Sequence, residues 1–141
     1  MSASNLELSI IIPTLNEEDY IQIVLGDILK SDIATSKYEI IVADSGSSDT
    51  TEQKVDEIKK RYPNSAIRFT KAAKRGVSIA RNTGAALANG EYLVFLDADS
   101  RVDVDFLSRG LTEMQIRQLQ AAACYLIPDT NRFLDKVLLA I

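Results

Sequence analysis

The chain has 141 residues, 46% of them hydrophobic and 26% charged, which suits one globular domain with a real core and excludes general disorder. With one cysteine, Cys124, and no histidine, an intramolecular disulfide framework, a Cys/His zinc site and a histidine-based triad are ruled out. Any metal must be held by oxygen ligands, which suits Mg2+ or Mn2+. A net charge of −4 argues against a nucleic-acid binder held by bulk positive charge.

Met1 to Leu8 lacks the basic and apolar regions of a secretory signal. No apolar run reaches the ~20 residues of a membrane span, so a cytoplasmic setting is expected. Strand-like and helix-like segments then alternate. Leu8–Ile12 is a β-branched apolar run expected to stop at Pro13. Glu17–Lys30 has apolar residues at helical spacing, Ile21, Val24, Leu25 and Ile28. Tyr38–Ala43 is a second apolar run, ended by Asp44-Ser45-Gly46. Asp49–Arg61 reads as a helix, with Asp49 and Glu52 at capping-box spacing. Ala66–Thr70 is a weak third strand. Val77–Ala88 is a helix with Val77, Ala80, Gly84 and Leu87 on one face, closed by Asn89-Gly90. Glu91–Leu96 is a fourth strand, Asp105–Gln118 a helix, Ala121–Ile127 strand-like, and Asn131–Ile141 the start of another helix.

Near-continuous apolar strands are covered on both faces, which predicts a parallel sheet in a doubly wound α/β/α fold over residues 1–141. Ligands of such sheets bind beyond the C-terminal strand ends, near the reversal of strand order. There the sequence places Pro13-Thr14-Leu15-Asn16-Glu17, Asp44 to Asp49, and Asp97-Ala98-Asp99. In an extended segment Asp97 and Asp99 share a side and could serve one cation. Asp-x-Asp alone is weak evidence, and Asp103-Val104-Asp105 reads as the N-terminal cap of the next helix. Asp44 taken alone reads as a turn residue before it reads as an acceptor for a nucleobase or ribose. From Ile58 to Gly90 eight bases occur with no acid, and Lys71, Lys74 and Arg75 precede a helix that opens at Gly76. They suit a phosphate or a solvated basic face.

Four motifs in order carry a family resemblance: Ser9-Ile10-Ile11-Ile12-Pro13-Thr14-Leu15-Asn16-Glu17-Glu18, Glu39-Ile40-Ile41-Val42-Ala43-Asp44-Ser45-Gly46-Ser47-Ser48-Asp49, the stretch from Arg75 to Gly84, and Gly90 to Asp99. Over roughly residues 8–107 the chain resembles the family 2 glycosyltransferases, inverting enzymes of GT-A fold that use nucleotide-diphosphate sugars. The resemblance implies a nucleoside pocket of Pro13, Leu15 and Glu17, with Asp44 accepting from the base and Arg75 beside the base or diphosphate. It implies Asp97 and Ala98 at the ribose side and Asp99, with Asp97, at a Mg2+ or Mn2+ ion shared with a UDP- or GDP-linked sugar. Asp97-Ala98-Asp99 looks like the version in polyprenyl-phosphate sugar synthases, a hint of a lipid acceptor beside a glycan one. Ser45 departs from the family's frequent Asp-Asp pair.

Such domains usually span ~200 or more residues, with the general base after the metal motif. Against that pattern the chain reads as a shortened domain. Glu113 and Asp129 are the downstream acids considered, and neither matches a base motif. A non-catalytic donor-binding or assembly module is therefore the alternative, its apolar C-terminal helix meeting a second copy or a membrane surface. An aspartyl phosphatase, with Asp97 as nucleophile and Asp99 as acid, is disfavoured. That class wants Thr or Val where Arg101 stands and carries its motif on the first strand.

Overall fold

The computed structural model describes residues 6–123. In order the elements are β1 (Leu8–Thr14), α1 (Ile21–Leu29), a 3-10 turn at Thr35–Lys37, β2 (Tyr38–Asp44), α2 (Thr51–Arg61), β3 (Ile67–Lys71), α3 (Val77–Ala86), β4 (Tyr92–Phe95) and α4 (Phe106–Ile116). The chain divides into two units, Met1–Leu111 and Thr112–Ile141. The first holds the whole sheet. In the second, Glu113 pairs with Arg117 at 2.7 Å, and residues 121–123 form no strand. The rest of the strand expected at Ala121–Ile127, and the helix expected at Asn131–Ile141, lie outside the described residues.

Four parallel strands run in the order β3-β2-β1-β4. Every residue of β1 and β2 is buried, as the near-continuous apolar runs require. Alternation sorts the side chains. Ile10, Ile12, Ile40 and Val42 join Ile21, Val24, Leu25 and Ile28 of α1, Val55 and Ile58 of α2, and Leu107 and Leu111 of α4 in one core. Ile11 and Ala43 point the other way, toward α3. The α/β/α layering expected from the sequence is therefore present. No helix among the described residues is long and apolar enough to cross a membrane.

Some boundaries moved for physical reasons. β1 does not stop at Pro13 but runs through it to Thr14, still in register with β2. The Leu96 N–H donates to the Ile11 carbonyl, so the backbone groups of Ile11 and Pro13 face β4. The β1–β4 ladder ends at the Ile11–Phe95 pair, and the missing N–H of Pro13 falls beyond it. α1 runs regularly from Ile21 rather than Glu17; the Ile21 N–H donates to the Glu17 carbonyl at 2.9 Å, and the N–H groups of Glu17 and Glu18 are capped by side chains at the start of α2. The apolar face expected on α3 is only half covered. Ala80 and Gly84 are buried, whereas Val77 and Leu87 are exposed.

The far end of the sheet is pinned by a buried polar cluster. Glu39 accepts from the Ser9 hydroxyl and the Asn89 N–H, both at 2.7 Å, and from Arg68 at 2.6 Å. The Gly90 N–H donates to the Ser9 hydroxyl at 2.8 Å, which fixes where the chain leaves α3 and enters β4.

Close approach of α3 to the sheet depends on Gly84. A Cβ there would lie 2.5 Å from the γ2 methyl of buried Ile11, a stiff β-branched group. Gly84→Ala is expected to lower stability by about 1–3 kcal/mol through overpacking. Gly110→Ala, in α4 with open space around it, is expected to gain about 0.5–1 kcal/mol from helix propensity. Urea unfolding midpoints that move in opposite directions would confirm the pair. A neutral Gly84→Ala would contradict the packing described.

Candidate functional site: an acidic rim at the strand ends

Because all four strands are parallel, Thr14, Asp44, Lys71 and Phe95 end at one edge of the sheet. The chain steps outward from β1 to β2 to β3, then returns to the other side of β1 with β4. The reversal of strand order lies at β1, where the loops after β1 and β4 diverge and a ligand crevice is expected.

The loops after β1 and β2 are fastened to each other. The Asn16 N–H donates to the Ser47 hydroxyl at 2.8 Å, and the Ser48 N–H donates to the Asn16 side-chain carbonyl at 2.8 Å. The Glu17 N–H donates to the Thr51 hydroxyl at 2.9 Å and the Glu18 N–H to Asp49 at 3.1 Å. Glu18 in turn accepts from the Thr50 N–H at 2.9 Å. The start of each helix thus caps the other. This replaces the local Asp49–Glu52 capping box read from the sequence: Asp49 accepts from the Thr51 N–H at 3.0 Å instead. Asn16 takes a left-handed backbone, φ 56°, which asparagine tolerates better than most residues.

Asp44 is the hub of the second loop. Its carboxylate accepts from the Thr14 hydroxyl at 3.0 Å, the Ser47 hydroxyl at 2.5 Å, the Ser47 N–H at 2.9 Å and the Gly46 N–H at 3.0 Å. Burial would raise its pKa, but these four donors outweigh burial and hold the carboxyl below its ordinary value. The turn role is therefore present in the structure. Ser45, the departure from the Asp-Asp pair, is buried and donates through its hydroxyl to the Thr14 carbonyl at 3.2 Å.

Pro13 is buried within β1 and Leu15 half-buried just beyond it. Asp97 and Asp99 are both exposed, with buried Ala98 between them, but they stand in a turn closed by the Ser100 N–H on the Asp97 carbonyl at 3.0 Å, and not in the extended segment from which a shared side was expected. Arg101, just past them, anchors the segment to α1 by a two-point bond to Asp27, at 2.6 and 3.2 Å. Glu17 completes the group. Burial first, then the negative charges of Asp99, Asp49 and Asp97, push its carboxyl above the ordinary value. Glu17, Asp49, Asp97 and Asp99 therefore form one acidic rim.

The basic stretch is used in part within the protein. Arg68 pairs with Glu39, Lys71 with Glu52 at 2.7 Å, and Arg81 with Asp97 at 2.7 Å. Lys74 and Arg75 stay exposed in the β3–α3 loop, and Arg75 is the basic residue the sequence singled out. The clasp residues Asn16 and Glu18 and the anchors Arg81 and Arg101 were not among the expected site residues. Their partners lie 16 to 74 positions away, and no local pattern reveals them.

Among the described residues no group of three or more carboxylates is placed to hold a metal ion by itself. The donors available are hard oxygens on two neighbouring aspartates with Glu17 close by. Such a set fits a cation that takes one or two protein carboxylates and draws its remaining ligands from a diphosphate and water. It does not fit a closed all-protein cage.

With this geometry in view, comparison with known proteins is informative. The family model for glycosyl transferase family 2 matches residues 9–136. Glycosyltransferase AglE of Haloferax volcanii is 35% identical over 105 residues, covering 74% of this chain and 34% of that protein. The dolichyl N-acetyl-alpha-D-glucosaminyl phosphate 3-beta-D-2,3-diacetamido-2,3-dideoxy-beta-D-glucuronosyltransferase of Methanococcus voltae is 33% identical over 108 residues, 77% of this chain and 34% of that protein. The mannosyltransferase PcManGT from Pyrobaculum calidifontis, solved with GDP-Man and Mn2+, matches with a TM-score of 0.74 at 31% identity, over 77% of this chain and 32% of that one. S. aureus TarS 1-349 with UDP-GlcNAc gives a TM-score of 0.72 at 22% identity, over 88% of this chain and 37% of that one, a likeness of fold alone. This chain belongs to glycosyl transferase family 2, and its fold is that of the GT-A glycosyltransferases. It spans about a third or less of the length of the curated relatives it matches.

The raised Glu17 carboxyl has a thermodynamic consequence. A group that holds its proton more tightly when folded contributes full stability below its unfolded pKa, about 4.3, and loses it as pH rises through the folded value. Glu17→Gln is therefore expected to raise the melting temperature near about pH 7 and to change it little near about pH 4. Thermal melts at the two pH values check this. A lower melting temperature at neutral pH would show that Glu17 is not held against its neighbours' charge.

Proposed function

We propose that this chain is the donor-binding part of a metal-assisted inverting glycosyltransferase that moves a sugar from a UDP- or GDP-linked donor to a lipid-phosphate, polysaccharide or other acceptor. The observation that carries this reading is the convergence of Glu17, Asp97 and Asp99 at the strand-order reversal in a chain of family 2. PcManGT, solved with GDP-Man and Mn2+, supports both the donor class and a divalent ion.

In this reading Pro13 and Leu15 line the nucleoside pocket, and Glu17 and Asp97 meet ribose hydroxyls. Ala98, buried between the two aspartates, sets their spacing. Asp44 meets the base through whatever acceptor capacity its turn leaves, and Arg75 reaches the base or diphosphate. Asp99 would hold the ion, with Asp97 as the second candidate ligand. When bound, Mg2+ or Mn2+ neutralises charge on the leaving diphosphate. An acceptor oxygen forms a bond to the anomeric carbon as the bond from that carbon to the diphosphate oxygen breaks, and the nucleoside diphosphate departs. A hydroxyl acceptor gives its proton to a carboxylate base, whereas an anionic phosphate acceptor needs none.

The alternative, a donor-binding or assembly module without turnover, is favoured by one observation. Glu113, one of the two downstream acids considered as bases, is paired with Arg117. Asp129, the other, lies outside the described residues. The proposed setting is the cytoplasm, at the cytosolic face of a membrane where the acceptor is a lipid phosphate.

Calorimetric titration of the full chain with UDP, GDP and their sugar conjugates, with and without Mn2+, tests the reading. One nucleotide is expected to bind in a Mn2+-dependent way, and Asp99→Ala to weaken that binding at least about tenfold with an unchanged melting temperature. Absence of nucleotide binding by the folded chain would overturn the donor-site reading. Binding without sugar transfer to a polyprenyl phosphate or glycan would favour the module.

A further inference from the structure

The aspartates of Asp97-Ala98-Asp99 are alike in sequence and exposure but not in surroundings. A terminal guanidinium nitrogen of Arg81, on α3, donates to the Asp97 carboxylate at 2.7 Å. No protein cation faces Asp99 among the described ion pairs, and Asp99 is the largest charge acting on Glu17, ahead of Asp97. We infer that Arg81 is a positioning residue: it draws Asp97 toward α3, cancels its charge, and leaves Asp99 as the carboxylate that meets a divalent cation. This inference rests on the donor-site reading above, which already places Asp97 at the ribose side and Asp99 at the ion, and adds Arg81 as the residue that sets the two aspartates apart.

Stability does not account for the Arg81–Asp97 pair. The two side chains are 39% and 53% exposed, the kind of ion pair that adds little to folding. Yet the Arg81 Nε is shut away from solvent with no hydrogen-bond partner, which is an unfavourable arrangement for a charged donor. Alternation along β4 explains how the pair meets. Leu93 and Phe95 lie opposite Ser9 and Ile11 in register, on the sheet face that α3 covers, and Asp97 continues that row toward Arg81.

The chemical consequence is a site with two sides. Asp97 paired with Arg81 offers a neutral hydrogen-bonding surface, suited to ligand hydroxyls. Asp99 beside Glu17 offers concentrated negative charge, suited to a cation. Without Arg81, both aspartates would be free to chelate one ion, and a cation approaching Asp97 would no longer face a positive group.

Mn2+ binding to the full chain without nucleotide, followed by electron paramagnetic resonance of the free ion, separates this inference from the reading it rests on. Arg81→Ala is expected to bind Mn2+ at least about threefold more tightly than the unmodified chain, because a second carboxylate is released. Adding Asp97→Asn to Arg81→Ala is expected to return the affinity to its starting value, and Arg81→Lys to keep it there. In calorimetry the Mn2+-dependent gain in UDP or GDP affinity is expected to fall about tenfold in Arg81→Ala, with Mn2+-free affinity unchanged. Unchanged or weaker Mn2+ binding in folded Arg81→Ala, or an equal gain in Arg81→Ala and Arg81→Lys, would overturn the inference. A merely structural arginine would lower the melting temperature and leave Mn2+ affinity where it was. If the unmodified chain binds no nucleotide, the donor-site reading fails while the Mn2+ series still decides the role of Arg81.

Discussion

β1 is the constraint from which the rest of the structure follows. It is hydrogen-bonded to strands on both sides and covered on both faces, and none of its seven residues is exposed. A buried strand must pair its backbone groups, so its register with β2 and β4 is fixed. Fixing the register fixes where the strands end, and so fixes Glu17, Asp44 and Asp97 relative to one another. The loops beyond have little freedom left, because Asn16, Glu17 and Glu18 are bonded to Ser47 through Thr51.

That rigidity is what allows like charges to stand together. Glu17, Asp49, Asp97 and Asp99 repel one another, and burial first, then that repulsion, raises the Glu17 carboxyl. Isolated loops would swing such residues apart. Here Arg101 bonds to Asp27 of α1, Arg81 bonds to Asp97, and Asp49 is tied into the α2 start. Among the described residues the opposite end of the sheet carries no such rim. Its charges, Glu39 and Arg68, are paired and bonded to Ser9 and Asn89. One end of the sheet thus settles its charges internally, and the other leaves Asp99 without a protein cation among the described ion pairs.

The fold was legible in the sequence because its strands are buried on both faces, which leaves uninterrupted runs such as Ile10-Ile11-Ile12 and Ile40-Ile41-Val42. The helices were legible from spacing, as with Ile21, Val24, Leu25 and Ile28. Boundaries were less so. Pro13 reads as a stop only if the strand is bonded beyond it on the β4 side, and the early end of β4 cannot be seen locally. The site divided in the same way. The place of Asp97 and Asp99 after an apolar strand was legible, whereas the turn from Asp97 to Ser100 that replaces the expected extended segment was not. The Asn16–Ser48, Arg81–Asp97 and Arg101–Asp27 bonds join distant segments, and only the folded chain brings them together. The basic stretch misled in part, since Arg68 and Lys71 answer acids elsewhere in the protein.

The central claim is that the C-terminal edge of the sheet, and not any other surface, receives a nucleotide with its divalent ion. Paramagnetic broadening of backbone amide signals by Mn2+, in the presence of UDP or GDP, locates the ion on the isotope-labelled chain. Broadening confined to the loops around residues 14–18, 44–49 and 97–101, with the amides of Glu39 and Asn89 left sharp, is the predicted result. Broadening centred on the Glu39 end, or spread evenly over the surface, would contradict it.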